Sequence, residues 1–171
     1  MEMSRLILDE GNLRSLPPRE RLDKCIEIIK KEADESLRWD AVWLAGEIAE
    51  LNGPQDPMYR EIADLMAWVL KNETNGVVKH EACYQIAARN MREKIPDLIE
   101  SALTDTSIIA RHEAIESLGL MRAFDTKEMI FKAAQDPNPE VKETAAFVLK
   151  RLGRLEKLEE KKRDYQPSHI L

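Results

Sequence analysis

Cysteine, histidine and aromatic residues are all scarce in this chain: two Cys, three His, and three each of Phe, Trp and Tyr. Cys25 and Cys83 stand apart, with no CxxC or other zinc spacing. That excludes a disulfide framework and a thiolate zinc site, and leaves two buried free thiols as the expectation. Glycine and proline, at 6 and 8, are too few for a linker-rich or fibrous protein. No apolar run approaches the roughly 18 residues that a membrane helix needs. The N-terminal stretch lacks the pattern of a secretory leader, so a cytoplasmic protein without a membrane partner is expected. Excess basic charge is missing too. A formal charge of −6 and a pI near 5.3 argue against the broad cationic face of a nucleic-acid binder.

What remains is rich in aliphatic residues, Ala, Glu and Lys. Hydrophobic residues make up 43% and charged residues 34% of 171 positions, which suits one helical domain with a sizeable core. The sequence repeats itself. LRWDAVWLAGEIAEL (37–51), VKHEACYQIAARNMR (78–92), ARHEAIESLGLMRAF (110–124) and VKETAAFVLKRLGRL (141–155) align without gaps. Each carries a basic residue, then two variable positions, then Ala41, Ala82, Ala114 or Ala145, then apolar residues at helical spacing. A second helix is predicted before each, over about 20–33, 57–71, 94–104 and 125–135. Leu22, Cys25, Ile26 and Ile29 form one apolar stripe; Ile62, Leu65, Met66 and Val69 form another. Asn52-Gly53-Pro54 ends one pair, Asp125 and Glu128 are spaced for a capping box, and Asn138-Pro139 suits an N-cap with proline at the first helical position. The expectation is an all-α solenoid of about four helical pairs, eight helices in all. Residues 1–19 are read as an N-terminal arm, 20–153 as the repeat domain, and 154–171 as a charged helix extension followed by a flexible tail.

Two of the three histidines fall at the same place in this pattern. His80-Glu81 and His112-Glu113 lie 32 residues apart, each after a cation and before Ala. A single HE pair near a helix start has ordinary explanations. Glu is favoured there by the helix dipole, and a duplicated repeat carries a dipeptide along. The recurrence in register, while the flanking residues diverge, points further. The two pairs should face one groove from neighbouring helices whose axes are about 8–10 Å apart. The positive helix ends should keep both imidazoles neutral, the form that binds metal. Imidazole with carboxylate suits iron, zinc, manganese or nickel. The Glu-x-x-His of di-iron bundles and the His-Glu-x-x-His of zinc proteases are both missing. His169 lies in the tail and is not assigned a role.

The repeat pattern resembles HEAT repeats of the short type found in bilin lyases, most clearly over DPNPEVKETAAFVLKRLG (136–153). HE dipeptides at this spacing on such repeats resemble the deoxyhypusine hydroxylase family. That family hydroxylates a modified lysine on a translation factor with a di-iron centre and dioxygen. Its two halves each have four repeats, with HE motifs in the second and third. This chain resembles one half in order: Arg38-Trp39-Asp40-Ala41, His80-Glu81, His112-Glu113, Lys142-Glu143-Thr144-Ala145. The family has four HE motifs and this chain two. The resemblance therefore implies a homodimer with two irons across its interface. His80 and His112 of one subunit would hold an iron with Glu81 of the partner subunit, and Glu113 would be a ligand or hydrogen-bond partner close by.

Other residues share this register. Trp39 and Asp40 correspond to His80 and Glu81 and are candidates for a wall of the same groove, while Trp39, Trp43, Tyr59 and Trp68 also suit a solenoid core. Glu143 and Thr144 fill the HE register of the fourth repeat. Function stays open at this point between a di-iron hydroxylase, a metal-free repeat scaffold that binds a protein, and a bilin lyase subunit or chaperone. For the first, Glu113 and nearby acids would attract a cationic amine, presented either free or on a protein.

Overall fold

The computed structural model describes residues 10–164. These form helices α1 (Glu10–Ser15), α2 (Pro18–Lys31), α3 (Glu35–Asn52), α4 (Pro57–Asn72), α5 (Gly76–Ala88), α6 (Ile95–Thr104), α7 (Ile108–Leu120), α8 (Lys127–Ala133) and α9 (Pro139–Asp164). From α2 onward the helices pair as α2/α3, α4/α5, α6/α7 and α8/α9. The second members pack on one another in sequence, α3 on α5, α5 on α7 and α7 on α9, which makes an α-solenoid. The short α1 leans on α2 and α3, with Leu13 buried there. No described helix is long and apolar enough to cross a membrane.

The repeated alanines explain the close stacking. Ala41, Ala82, Ala114 and Ala145 are wholly buried, one on each second helix. Larger residues above and below them, including Leu44, Ile48, Ile86, Ile115, Leu118 and Leu152, fill the core at 1% exposure or less. Leu22, Cys25, Ile62 and Met66 supply the other layer. Both thiols are free and buried, as expected; burial pushes the Cys25 thiol up to about 12 and raises the Cys83 thiol as well.

Local sequence sets the starts. The side chains of Asp34, Asp56, Asn75, Ser107 and Asn138 each accept a backbone N–H of the first turn of a helix. Pro57 and Pro139 occupy first positions, where the missing N–H costs nothing. Helices α5 and α7 stop at Ala88 and Leu120, where Asn90 and Arg122 take φ of 51° and 52°. The bonds Met91 N–Ile86 O and Ala123 N–Leu118 O then close Schellman turns, a role that usually falls to glycine. The second turn runs into a 3₁₀ segment over Phe124–Thr126. Asp125 sits inside that segment, so its capping box with Glu128 does not form. Thr126 is the boundary residue, and its hydroxyl donates to the Ala123 carbonyl instead.

Ion pairs run from repeat to repeat. Arg38, Lys79 and Arg111 hold one register position, and each donates to an acid in the turn that follows the next first helix: Glu73, Asp105 and Asp136. Each acid also accepts a backbone N–H of its own turn, from Asn75, Ser107 and Asn138. The turn is thereby shaped and fastened to the preceding repeat by one carboxylate.

A contact between α3 and α5 shows how little space the stacking leaves. Gln85 is wholly buried, and a Cβ added at Gly46 would lie 1.9 Å from its Oε1. A Gly46→Ala change gains about 1 kcal/mol of helix propensity. It incurs roughly 1–3 kcal/mol of overpacking and disturbs the hydrogen bond from Gln85 Nε2 to Glu81. Chemical denaturation should show a net loss of about 1 kcal/mol, relieved by Gln85→Ala in the same chain.

Candidate metal centre

His80 is the fifth residue of α5 and His112 the fifth residue of α7. Because these helices pack side by side, both imidazoles open on one cleft of about 480 Å³, bordered also by Glu116, Glu143, Thr144 and Phe147. In the third and fourth repeats the residue at the register position of Glu81 reaches back to the histidine of the preceding repeat. Glu113 Oε2 lies 2.9 Å from His80 Nε2, and Thr144 Oγ1 lies 2.7 Å from His112 Nδ1. Glu113 and Thr144 share a register position, so this is one contact made twice with different chemistry.

At His80 the partner is a carboxylate whose side chain is only 5% exposed. It holds the imidazole above its ordinary pKa by hydrogen bonding, against the opposing effect of partial burial. The shift runs against the lowering expected from the helix end. A hydrogen bond to a buried carboxylate outweighs a half-charge spread over a helix terminus.

At His112 the partner is a hydroxyl that itself donates to the Glu140 carbonyl, 2.8 Å away. A hydroxyl has one proton, so Thr144 can only accept from the imidazole. Nδ1 therefore carries a proton, and Nε2 faces Glu116 Oε2 at 3.6 Å. Donor atoms of His112, Glu113 and Glu116 all lie within 4.8 Å of one another. Nitrogen with carboxylate oxygen, and no thiolate, is a donor set that fits a borderline divalent ion.

Glu81 lies apart from this group. It is 7% exposed and accepts a hydrogen bond from Gln85 Nε2. Trp39 and Asp40 border a neighbouring cleft with Asn75, Val77 and Val78, not the one that His80 and His112 share. There Trp39 lies 6.3 Å from Trp43, and burial raises the Asp40 carboxyl, helped by Glu10 and Asp34. Reading the repeats as dipeptides missed Glu116. Its signal was present in the i, i+4 spacing from His112, which puts both on one helix face.

A family model described as HEAT repeats matches residues 95–162. Deoxyhypusine hydroxylase of Arabidopsis thaliana is 36% identical over 83 residues, 47% of this chain and 26% of that protein. The Danio rerio deoxyhypusine hydroxylase is 34% identical over 94 residues, 53% of this chain and 30% of that protein. The solved structure of human deoxyhypusine hydroxylase in complex with glycerol superposes with a TM-score of 0.68 at 22% identity, covering 87% of this chain and 49% of that one. At that identity the likeness speaks for the fold. The chain matches about half of the solved relative and less than a third of each sequence relative. It is a HEAT-like repeat protein that resembles deoxyhypusine hydroxylase.

Proposed function

We propose that this chain is a metal-dependent hydroxylase with its metal held by His80, Glu81, His112 and Glu113, and that two copies face each other across the cleft. The observation that carries this reading is the convergence of His80 and His112 on one cleft, with Glu113 set against His80. Iron is the ion proposed, two per pair of chains; when bound it supplies reductive activation of dioxygen for insertion into a substrate C–H bond. The chain's own residues do the rest. Glu113 lies against His80 so that both face the ion's position, and Thr144 accepts from His112 Nδ1 and fixes its tilt. Ile108, Ile109 and Phe147 border the cleft and limit water there. Glu116, Glu140 and Glu143 set a negative field that favours a cationic amine, whether free or on a protein.

Pairing is supported by the surface of the cleft. Ile108, Ile109 and Phe147, which line it, are 40–67% exposed although apolar. A second copy placed there would cover them and bring the two metal positions together. Glu81 of the partner subunit would then complete each ion's ligands.

The test is metal content and solution mass on one untagged preparation, after anaerobic ferrous loading. About one iron per chain in a species of twice the chain mass is expected, and its loss in His80→Ala. No bound iron after loading would reject the hydroxylase and leave a metal-free scaffold.

A further inference from the structure

Glu35, Trp39, Trp43 and Glu47 follow one another along α3 at every fourth position. That spacing puts all four on one face of the helix. The row reads the same from either end, with an indole beside a carboxylate in each half.

One half is filled. The Arg14 guanidinium, from α1, lies over the Trp43 ring at 5.0 Å from its centroid. It forks onto Glu47, from Nε at 3.1 Å and from Nη2 at 2.7 Å. Stacking on an aromatic face while bonding a carboxylate through two donors suits a planar guanidinium and not the point charge of an ammonium. The other half is open. Glu35 and Trp39, with Asp40 and Val77, border the cleft of about 370 Å³ between α3 and α5. No basic residue lines it. Arg38 and Lys79, the nearest cations along the chain, are engaged by Glu73 and Asp105. The side chains of Glu35 and Asp40 make no hydrogen bond or ion pair among the described residues. Asp40 is partly buried, and Glu10 and Asp34 add to the negative potential there. Two carboxylates without a counter-ion, an indole and the half-exposed Val77 thus share one opening. This combination favours a cation on an apolar stem and disfavours an anion.

We propose that the cleft is a second guanidinium site, which takes an alkylguanidinium stacked on Trp39 and bonded to Glu35, with Asp40 adding charge. The ligand is an arginine side chain of another protein or a free alkylguanidine. Its placement mirrors that of Arg14 one turn along α3. The site stands apart from the metal cleft, and neither depends on the other.

The full chain labelled with 5-fluorotryptophan gives one fluorine resonance for each of its three Trp, assigned by single Trp→Phe variants. Nα-acetyl-arginine amide is titrated in at constant ionic strength, beside the lysine amide, ethylguanidinium and the neutral isostere Nα-acetyl-citrulline amide. The arginine amide is expected to shift the Trp39 resonance saturably, with a Kd on the order of millimolar for so small a ligand. The lysine amide should bind at least about threefold more weakly, and the citrulline amide should not saturate. Ethylguanidinium separates the two sources. Equal affinity supports a site for free guanidines, and saturable but weaker binding supports a site for arginine in a polypeptide. Glu35→Gln and Asp40→Asn should each weaken binding about two- to fivefold. Both positions lie outside the core, so both variants should fold, which a thermal melt checks. No saturable shift at Trp39, an equal response to the citrulline amide, or wild-type affinity in both variants would each overturn the site. So would a shift confined to Trp43 that Arg14→Ala strengthens, because the ligand would then be taking Arg14's place.

Discussion

Replacing His112 by alanine is expected to weaken divalent metal binding by more than about a hundredfold, beyond the 10–100-fold that loss of an outer partner typically costs. The change removes a nitrogen that the fold has prepared. The hydrogen bond to Thr144 sets the tautomer, and the chain from Thr144 to the Glu140 carbonyl sets the direction. What remains is a buried carboxylate, Glu113, and an exposed one, Glu116, which repel each other without an ion. Folding should barely suffer, by less than about 1 kcal/mol, because the His112 side chain is 36% exposed and carries little of the core. Thr144→Val separates preparation from ligation. It keeps the shape, removes the acceptor for Nδ1–H, and should weaken binding by about tenfold. Calorimetric titration with zinc, set beside the unfolding midpoint of each variant, measures both. Unchanged affinity in His112→Ala would remove this cleft from consideration as a metal site.

The two histidines could be placed from sequence because a gapless repeat carries register with it. Once Ala82 and Ala114 are aligned, His80 and His112 must open on the same side of adjacent helices, and they do. The residues that condition them could not be placed this way. Glu113 meets His80 and Thr144 meets His112 across 33 and 32 positions of chain, by a stagger between helices that no single repeat contains. That stagger also explains Glu81. It turns towards Gln85, which fits only because Gly46 on α3 has no side chain. At the ends of α5 and α7, Asn90 and Arg122 do what glycine usually does, so the composition of these turns carries no glycine signal for where the helices end. The starts were legible at Asn138-Pro139, where one residue's side chain decides the matter locally.

The second large effect is on stability. Arg38→Ala should cost about 3–5 kcal/mol, a substantial part of the 5–15 kcal/mol typical of a folded domain. Arg38 forks onto Glu73, from Nε to Oε2 at 2.8 Å and from Nη2 to Oε1 at 2.9 Å, and its Nη1 donates to the carbonyls of Glu32 and Ala33. One guanidinium therefore joins the turn of the first repeat to the turn of the second. The Glu73 side chain is 3% exposed, so removing Arg38 strands a carboxylate out of water. Burial pushes that carboxyl up, but Arg38 and the backbone N–H groups of Asn75 and Thr74 together hold it below its ordinary value. A depressed carboxyl stabilises the fold above its unfolded pKa, and that contribution disappears as pH falls through the folded pKa. The deficit of Arg38→Ala should accordingly be full at neutral pH and narrow as the solution is acidified through the carboxylate range. Arg38→Lys keeps the charge but not the fork, and should fall between the two. Lys142 is the internal control. It holds the same register position in the fourth repeat, is exposed, and makes no ion pair among the described residues. Lys142→Ala should change stability by less than about 0.5 kcal/mol. Urea unfolding of the three variants against wild type, at neutral and acidic pH, separates a buried carboxylate left alone from a surface charge removed. An equal loss at positions 38 and 142 would mean that the basic residue of the repeat acts through the helix it sits on, not through the acid it reaches.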